Sequence, residues 1–243
     1  MAPLLEVDDL SVRYKNGALG IQNLSFSVQP GHIVALLGAA GAGKTTTVRG
    51  ISGFLRSEGA RAVTGSVRMD GRDITNWEPH QVCRLGVLAV PERGKVFPNL
   101  SVAENLESLG AQLVKGERRA EVEEMIHELF PVLGGVRRQL AGRLSGGQQQ
   151  MLAIARALMS DPRLLIIDEM TLGLHPSLHG PLFDAVLRIA ATGSAVLIVD
   201  ESTGHTLEVA EHCVLLKAGQ VWAAGPSATF RGNELLVAGY VGG

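Results

Sequence analysis

Gly38-Ala39-Ala40-Gly41-Ala42-Gly43-Lys44-Thr45 follows the pattern G-x-x-x-x-G-K-[ST]. The run before it, Ile33-Val34-Ala35-Leu36-Leu37, is continuously apolar, the pattern of a strand buried on both faces. A helix is predicted after it, over residues 44–54. Strand, glycine-rich loop and helix in that order make a cradle for phosphate. Glycines let the backbone wrap an anion and aim successive N–H groups at it. The helix start adds the positive end of its dipole. The predicted binding loop is Gly38, Ala39, Ala40, Gly41, Ala42, Gly43, Lys44, Thr45 and Thr46. Lys44 would reach the β- and γ-phosphates, and the Thr45 hydroxyl is placed for Mg²⁺. A plain glycine-rich turn is the competing reading in a chain with 30 glycines; the flanking strand and helix favour the cradle.

A second chemical signal ends another apolar run, Leu164-Leu165-Ile166-Ile167-Asp168-Glu169. A carboxylate at the C-terminal end of a buried strand can reach a cation beside the phosphate loop, which is the role predicted for Asp168. Glu169 is then the candidate base for an attacking water. Alone, the pair would read equally well as a solvated helix cap.

The third signal is Leu144-Ser145-Gly146-Gly147-Gln148-Gln149-Gln150. Ser145 can N-cap the following helix, and the glycines bare its first N–H groups. Ser145, Gly146, Gly147 and Gln148 thus form a second phosphate-type site in the same chain. One nucleotide does not need both. The economical arrangement is a head-to-tail dimer, each ATP lying between the loop of one subunit and Ser145–Gly147 of the other.

Composition sets limits around these motifs. Hydrophobic residues make up 46% of 243, enough for a buried core. Net charge is -2 without a long run of one sign, which points away from a nucleic-acid surface. Cys83 and Cys213, the only two cysteines, fit a reducing compartment and are predicted to be buried, inert thiols. The start lacks a signal-peptide pattern, and the apolar runs are strand-sized, far short of the ~20 residues of a membrane helix. The expectation is a soluble cytoplasmic chain whose membrane role comes through a partner. His127, His179 and His205 have no metal-ligand spacing with one another.

Buried runs alternating with helical stretches predict a parallel sheet. Residues 4–12 and 24–28 read as further strands, 65–73 as a hairpin turning at Asp70-Gly71, and 94–160 as largely helical. Val122, Met125, Ile126 and Leu129 share one face of a predicted helix over 117–130.

With its motifs in this order, nearly the whole chain resembles the ABC ATPase family. The resemblance implies an α/β P-loop NTPase fold over residues 4–237. It would have a mixed, mainly parallel core sheet, an N-terminal antiparallel β subdomain and an inserted helical subdomain over about 94–160. It implies that Tyr14 stacks on adenine, although an ordinary strand aromatic is the alternative. It places Glu92, in Val90-Pro91-Glu92-Arg93-Gly94, at the loop that joins the γ-phosphate site to a membrane partner, among the catalytic and Mg²⁺-binding residues. ATP and Mg²⁺ are the implied cofactors. The implied partners are a second ATPase subunit (identical or different), transmembrane permease subunits and, indirectly, a substrate-binding protein, at the cytoplasmic face of the membrane.

More narrowly, residues 90–92 and 96–106, Leu172-Gly173-Leu174 and Gly239-Tyr240-Val241-Gly242 resemble the ATPase subunits of branched-chain amino-acid importers. Importers of urea and other amides share several of these motifs. The segment 94–106 is expected to dock on the permease, with Val96, Phe97 and Leu100 exposed, or else with Phe97 buried in the helical subdomain. There are departures from the family: Ala40 for Asn, Met170 for Pro, His175 for Ala or Asp, and Glu201 where His or Gln is usual. An ionised Glu201 cannot donate to phosphate, so it would turn away or be protonated. A cofactor-assembly ATPase and a regulatory nucleotide-binding module without turnover are the competing functions.

Overall fold

The computed structural model describes residues 2–108, 114–201 and 204–232. Gly239-Tyr240-Val241-Gly242 and the expected domain end at 237 lie outside the described residues. In chain order the elements are β1 (Leu5–Tyr14), β2 (Leu19–Val28), β3 (Ile33–Gly38), α1 (Lys44–Ser52), β4 (Ala60–Met69), β5 (Arg72–Asp73), α2 (Pro79–Cys83) and β6 (Val87–Val90). Then follow α3 (Val102–Ser108), α4 (Gly116–Leu129), α5 (Pro131–Gly135), α6 (Gly146–Leu158), β7 (Leu164–Asp168), α7 (His179–Ala191), β8 (Ala195–Asp200), α8 (Gly204–Val209), β9 (His212–Lys217) and β10 (Gln220–Pro226).

Two sheets form. One is antiparallel, in the order β2-β1-β4-β5. The other runs β10-β9-β3-β8-β7-β6 and is parallel except for β10. The central strands read as unbroken apolar runs because both faces are covered. Ile33, Ala35, Leu37, Leu165, Ile167, Val196 and Ile198 pack with α4, α6 and α7. Their neighbours Val34, Leu36, Leu164, Ile166, Leu197 and Val199 pack with α1 and the antiparallel sheet. Period-two alternation thus divides each strand between two cores. Helices α3 to α6 lie in the chain between β6 and β7, which pair directly.

The helix after the phosphate loop ends two residues short of the predicted boundary. Gly53 takes φ 86°, and its N–H donates to the Arg49 carbonyl, closing α1. β2 begins at Leu19 rather than residue 24. On α4, Val122 and Ile126 are buried while Met125 and Leu129 pack at the margin of the same core, the face that the periodicity predicts. Cys213 is buried, and desolvation pushes its thiol up to about 12. Cys83 is only partly buried, which corrects the expectation of two buried thiols. Among the described residues no helix is long and apolar enough to cross a membrane.

Within the segment 94–106 one side chain gathers four backbone groups. Asn105 is fully buried; its Oδ1 accepts from the Phe97 N–H at 2.8 Å, and its Nδ2 donates to the carbonyls of Phe97, Leu100 and Ser101 at 3.0–3.2 Å. Val96 is buried, contrary to expectation. Phe97 is 46% exposed, with the Arg156 guanidinium 4.7 Å from its ring centre. Asn105→Ala would leave the Phe97 N–H without its partner and take a second donor from the carbonyls of Phe97, Leu100 and Ser101, each of which keeps a backbone N–H. It should lower unfolding stability by about 1–3 kcal/mol in urea denaturation, and an effect within about 0.5 kcal/mol would show that the knot is not structural.

Candidate nucleotide site

Parallel register gathers the chemistry. Leu37 pairs with Asp200 and Val199 with Asp168, while Val90 pairs with Ile167. The C-terminal ends of β3, β8, β7 and β6 therefore lie side by side, and the loop after each emerges at one edge of the sheet. From those ends come the phosphate loop, Glu201, Glu169 and Glu92. They line one open cleft of about 570 Å³, with Tyr14, Ala39 through Thr46 and Asp168.

The loop is pinned from two sides. Gly43 takes φ 107°, and a Cβ there would lie 2.7 Å from Ile21 Cγ2 and 2.8 Å from the Gly20 carbonyl. Only glycine allows both the conformation and the approach. The Gly219 N–H donates to the Ala42 carbonyl at 3.0 Å, and the Gln22 N–H to the Gly219 carbonyl at 2.7 Å. Thus the β9–β10 turn clasps the loop to β2. Leu19, Gly20, Ala218 and Gly219 line the cleft although no motif marks them.

Lys44 is 6% exposed and points back along its own loop, its Nζ donating to the Gly38 carbonyl. Nζ lies 3.5 Å from Glu169 Oε1 and 3.3 Å from Glu201 Oε1. Glu201 therefore turns into the cleft rather than away. Glu169 is 9% exposed and takes φ 50°, a left-handed conformation that costs a non-glycine residue about 1 kcal/mol or more. Its N–H is bonded to the Val199 carbonyl at 2.8 Å, and the next residue, Met170, is fully buried. This anchored turn directs the carboxylate at Lys44. Tyr14 packs on Gly20, where a Cβ would come within 2.7 Å of its ring, and its hydroxyl shares a 2.8 Å hydrogen bond with Thr46 Oγ1. Glu92 is half-buried and pairs with the exposed Arg93 at 3.0 Å.

The cleft is acidic. Desolvation pushes the Asp168 carboxyl up to about 6, against the pull of Lys44. Desolvation, then the neighbouring Asp200, pushes Glu169 up to about 7. Asp200 itself is 4% exposed.

A family model described as ABC transporter matches residues 21–172. The chain belongs to the ABC transporter family. It is 33% identical to the high-affinity branched-chain amino acid transport ATP-binding protein BraG of Pseudomonas aeruginosa, over 99% of this chain and 100% of that one. It is 30% identical to the lipopolysaccharide export system ATP-binding protein LptB of Haemophilus influenzae, over 98% and 97%. Among solved structures it resembles an ATP-binding cassette of an ABC transporter in its ADP conformation, with TM-score 0.84, 27% identity and full coverage of both chains. The chain is thus an ATP-binding, ATP-hydrolysing subunit.

In this ABC ATPase, Ser145 through Gln148 do not line the cleft. They open α6 elsewhere, with Ser145 and Gly146 exposed. Ser145 Oγ accepts from the Gln148 N–H at 3.3 Å, and Gln148 Oε1 accepts from the Ser145 N–H at 3.0 Å, a reciprocal cap. Gly147 has a packing reason: a Cβ there would lie 2.3 Å from Leu178 Cδ1. His175 caps the short turn Pro176–Leu178, its Nδ1 accepting from the Ser177 N–H at 3.3 Å. His179 and His205, distant in sequence, come together edge-to-face with ring centres 6.1 Å apart.

Raised carboxyl pKa values fix a sign. The folded, nucleotide-free chain binds protons more tightly than the unfolded one between the ordinary carboxyl range and about 7. Its stability should therefore fall as pH rises through that window. With metal chelated, Glu169→Gln should stabilise the chain at about pH 8 by about 1–2 kcal/mol and much less at about pH 5. Equal effects at both pH values would remove Glu169 as the source.

Proposed function

We propose that this chain powers an importer of branched-chain amino acids or related small polar solutes, working as one half of an ATP-sandwiching pair. The observation that carries the pairing is the separation of the two phosphate-type sites. The phosphate loop lines one cleft, and the exposed N-terminus of α6 is not among the residues that line it. Completing the first with the second takes another subunit, identical or different. The import reading rests on the full-length similarity to BraG.

In this reading the loop amides and Lys44 hold the β- and γ-phosphates, and Tyr14 meets the adenine. Ser145, Gly146, Gly147 and Gln148 close over the γ-phosphate of the partner's nucleotide. Thr45, Asp168 and Glu92 would hold Mg²⁺, which supplies positive charge against the phosphates when bound. The donor set fits. Among the described residues lining the cleft, Asp168, Glu169, Glu92 and Glu201 face a single cation, Lys44. A polyphosphate entering so acidic a cleft needs a counter-charge. Glu169 orients and deprotonates the attacking water; its raised pKa brings its basicity close to neutral pH.

Transmission follows the chain. Glu92 stands at the cleft and continues into 94–106, where Phe97 is exposed and Ser101 pairs with Leu140, which is 40% exposed. Apolar groups at that surface suit a permease. The binding protein then acts only through the permease, and the subunit sits peripherally on the cytoplasmic face.

The decisive experiment is co-purification with a polytopic membrane protein, followed by hydrolysis assays in lipid with branched-chain amino acids and their binding protein. Stimulation supports the reading; a complex that ignores amino acids overturns the solute. Lys44→Ala should weaken ATP binding strongly and lower turnover by about 100-fold or more. Glu169→Gln should keep ATP binding, accumulate an ATP-bound pair on size exclusion and lose at least about 100-fold in cleavage. Wild-type cleavage in Glu169→Gln would remove it as the base.

A further inference from the structure

We infer that Glu201 sets the nucleotide preference of this site, favouring ADP over ATP by holding the lysine that the γ-phosphate must claim. The inference rests on the assignment of Lys44 to the β- and γ-phosphates and adds a selectivity to it.

The geometry is asymmetric. Lys44 is nearly buried and is neutralised by two carboxylates, Glu169 Oε1 at 3.5 Å and Glu201 Oε1 at 3.3 Å, with the Gly38 and Ala39 carbonyls completing its contacts. Glu169 leaves Lys44 only at a larger cost: its carboxylate side chain is 10% exposed, and its backbone is bonded to Val199. The Glu201 side chain is 50% exposed, so it can exchange Lys44 for water at little desolvation cost. A nucleoside diphosphate brings only its β-phosphate to the loop amides and Lys44, and leaves Glu201 its place on the other side of Nζ. A triphosphate carries one further anionic group to the side of Lys44 that faces the carboxylates. It must break the pair and then stand beside a carboxylate that cannot donate to it. Both costs fall on the triphosphate alone, so they change the ratio of affinities rather than binding as a whole.

This also gives the departure at residue 201 a physical meaning. A neutral amide at that position removes the repulsion and supplies an N–H donor, and both effects favour the γ-phosphate.

The test is equilibrium binding of ATP and of ADP, with Mg²⁺, to the purified chain carrying Glu169→Gln so that no cleavage intervenes. Adding Glu201→Gln should tighten ATP relative to ADP by about tenfold, the scale of a small part of a contact repulsion in a partly shielded site. ADP should move by less than about twofold. Glu201→Ala, which removes the charge without adding a donor, should give an intermediate ratio, and thermal unfolding of each variant checks that it is folded. An unchanged ratio, or ATP binding weakened in Glu201→Gln, overturns the inference even if Lys44→Ala abolishes binding of both nucleotides. If Lys44→Ala leaves both affinities unchanged, the site assignment falls, and this inference falls with it.

Discussion

A buried ammonium is costly unless it is paired, and the cleft is organised around one. Lys44, 6% exposed, draws the Gly38 carbonyl and two carboxylates toward a single Nζ. Those carboxylates stand just past the ends of β7 and β8, the carbonyl at the end of β3. The Nζ contacts therefore tie together three adjacent strands at the edge where their loops emerge. The arrangement leaves more negative charge than Lys44 can neutralise, which is why desolvation and mutual repulsion raise Asp168 and Glu169 together. Such a site resists being empty and is relieved by a cation, by protons, or by turning one carboxylate outward.

Much of this was legible in the residues. Ile33 through Leu37 and Leu164 through Asp168 announced buried strands because each must satisfy two cores at once, and no loop or amphipathic helix demands such uniform apolarity. The phosphate loop was legible because glycine at φ 107° and 2.7 Å from Ile21 has no substitute. Glycine placement is the one local record that close approach leaves in a sequence.

Other features left no local record. The clasp of Gly219 on Ala42 joins residues far apart in the chain, and a hairpin glycine looks the same whether or not it holds a phosphate loop. The Asn105 knot serves four backbone groups, three of them carbonyls, and asparagine in a helical stretch does not reveal that. Val96 and Phe97 are adjacent and apolar, yet one is buried and the other exposed; which one faces inward depends on where Asn105 fastens the loop. The direction of Glu201 was also open, because it depends on how far Lys44 reaches, and that distance exists only once β3 and β8 are paired.

The contact of Leu178 with Gly147 bears on how one subunit could sense two nucleotides. Residues after Glu169 run through Leu174 to Leu178 and pack on the glycines that open α6. A Cβ at Gly146 would already lie 3.4 Å from Leu174. The loop after Glu169, the proposed base, thus forms the floor beneath the exposed N-terminus that would cap the partner's γ-phosphate. The start of α6 does not line the cleft, yet the two half-sites share this one short, closely packed segment. A shift of Glu169 on meeting a triphosphate would be passed to Leu174 and Leu178 as a steric displacement, because close-packed contacts at van der Waals distance transmit movement rather than absorb it. Coupling between such paired sites then needs no additional element: it follows from glycines that allow side chains of the loop after Glu169 to rest directly on the start of α6.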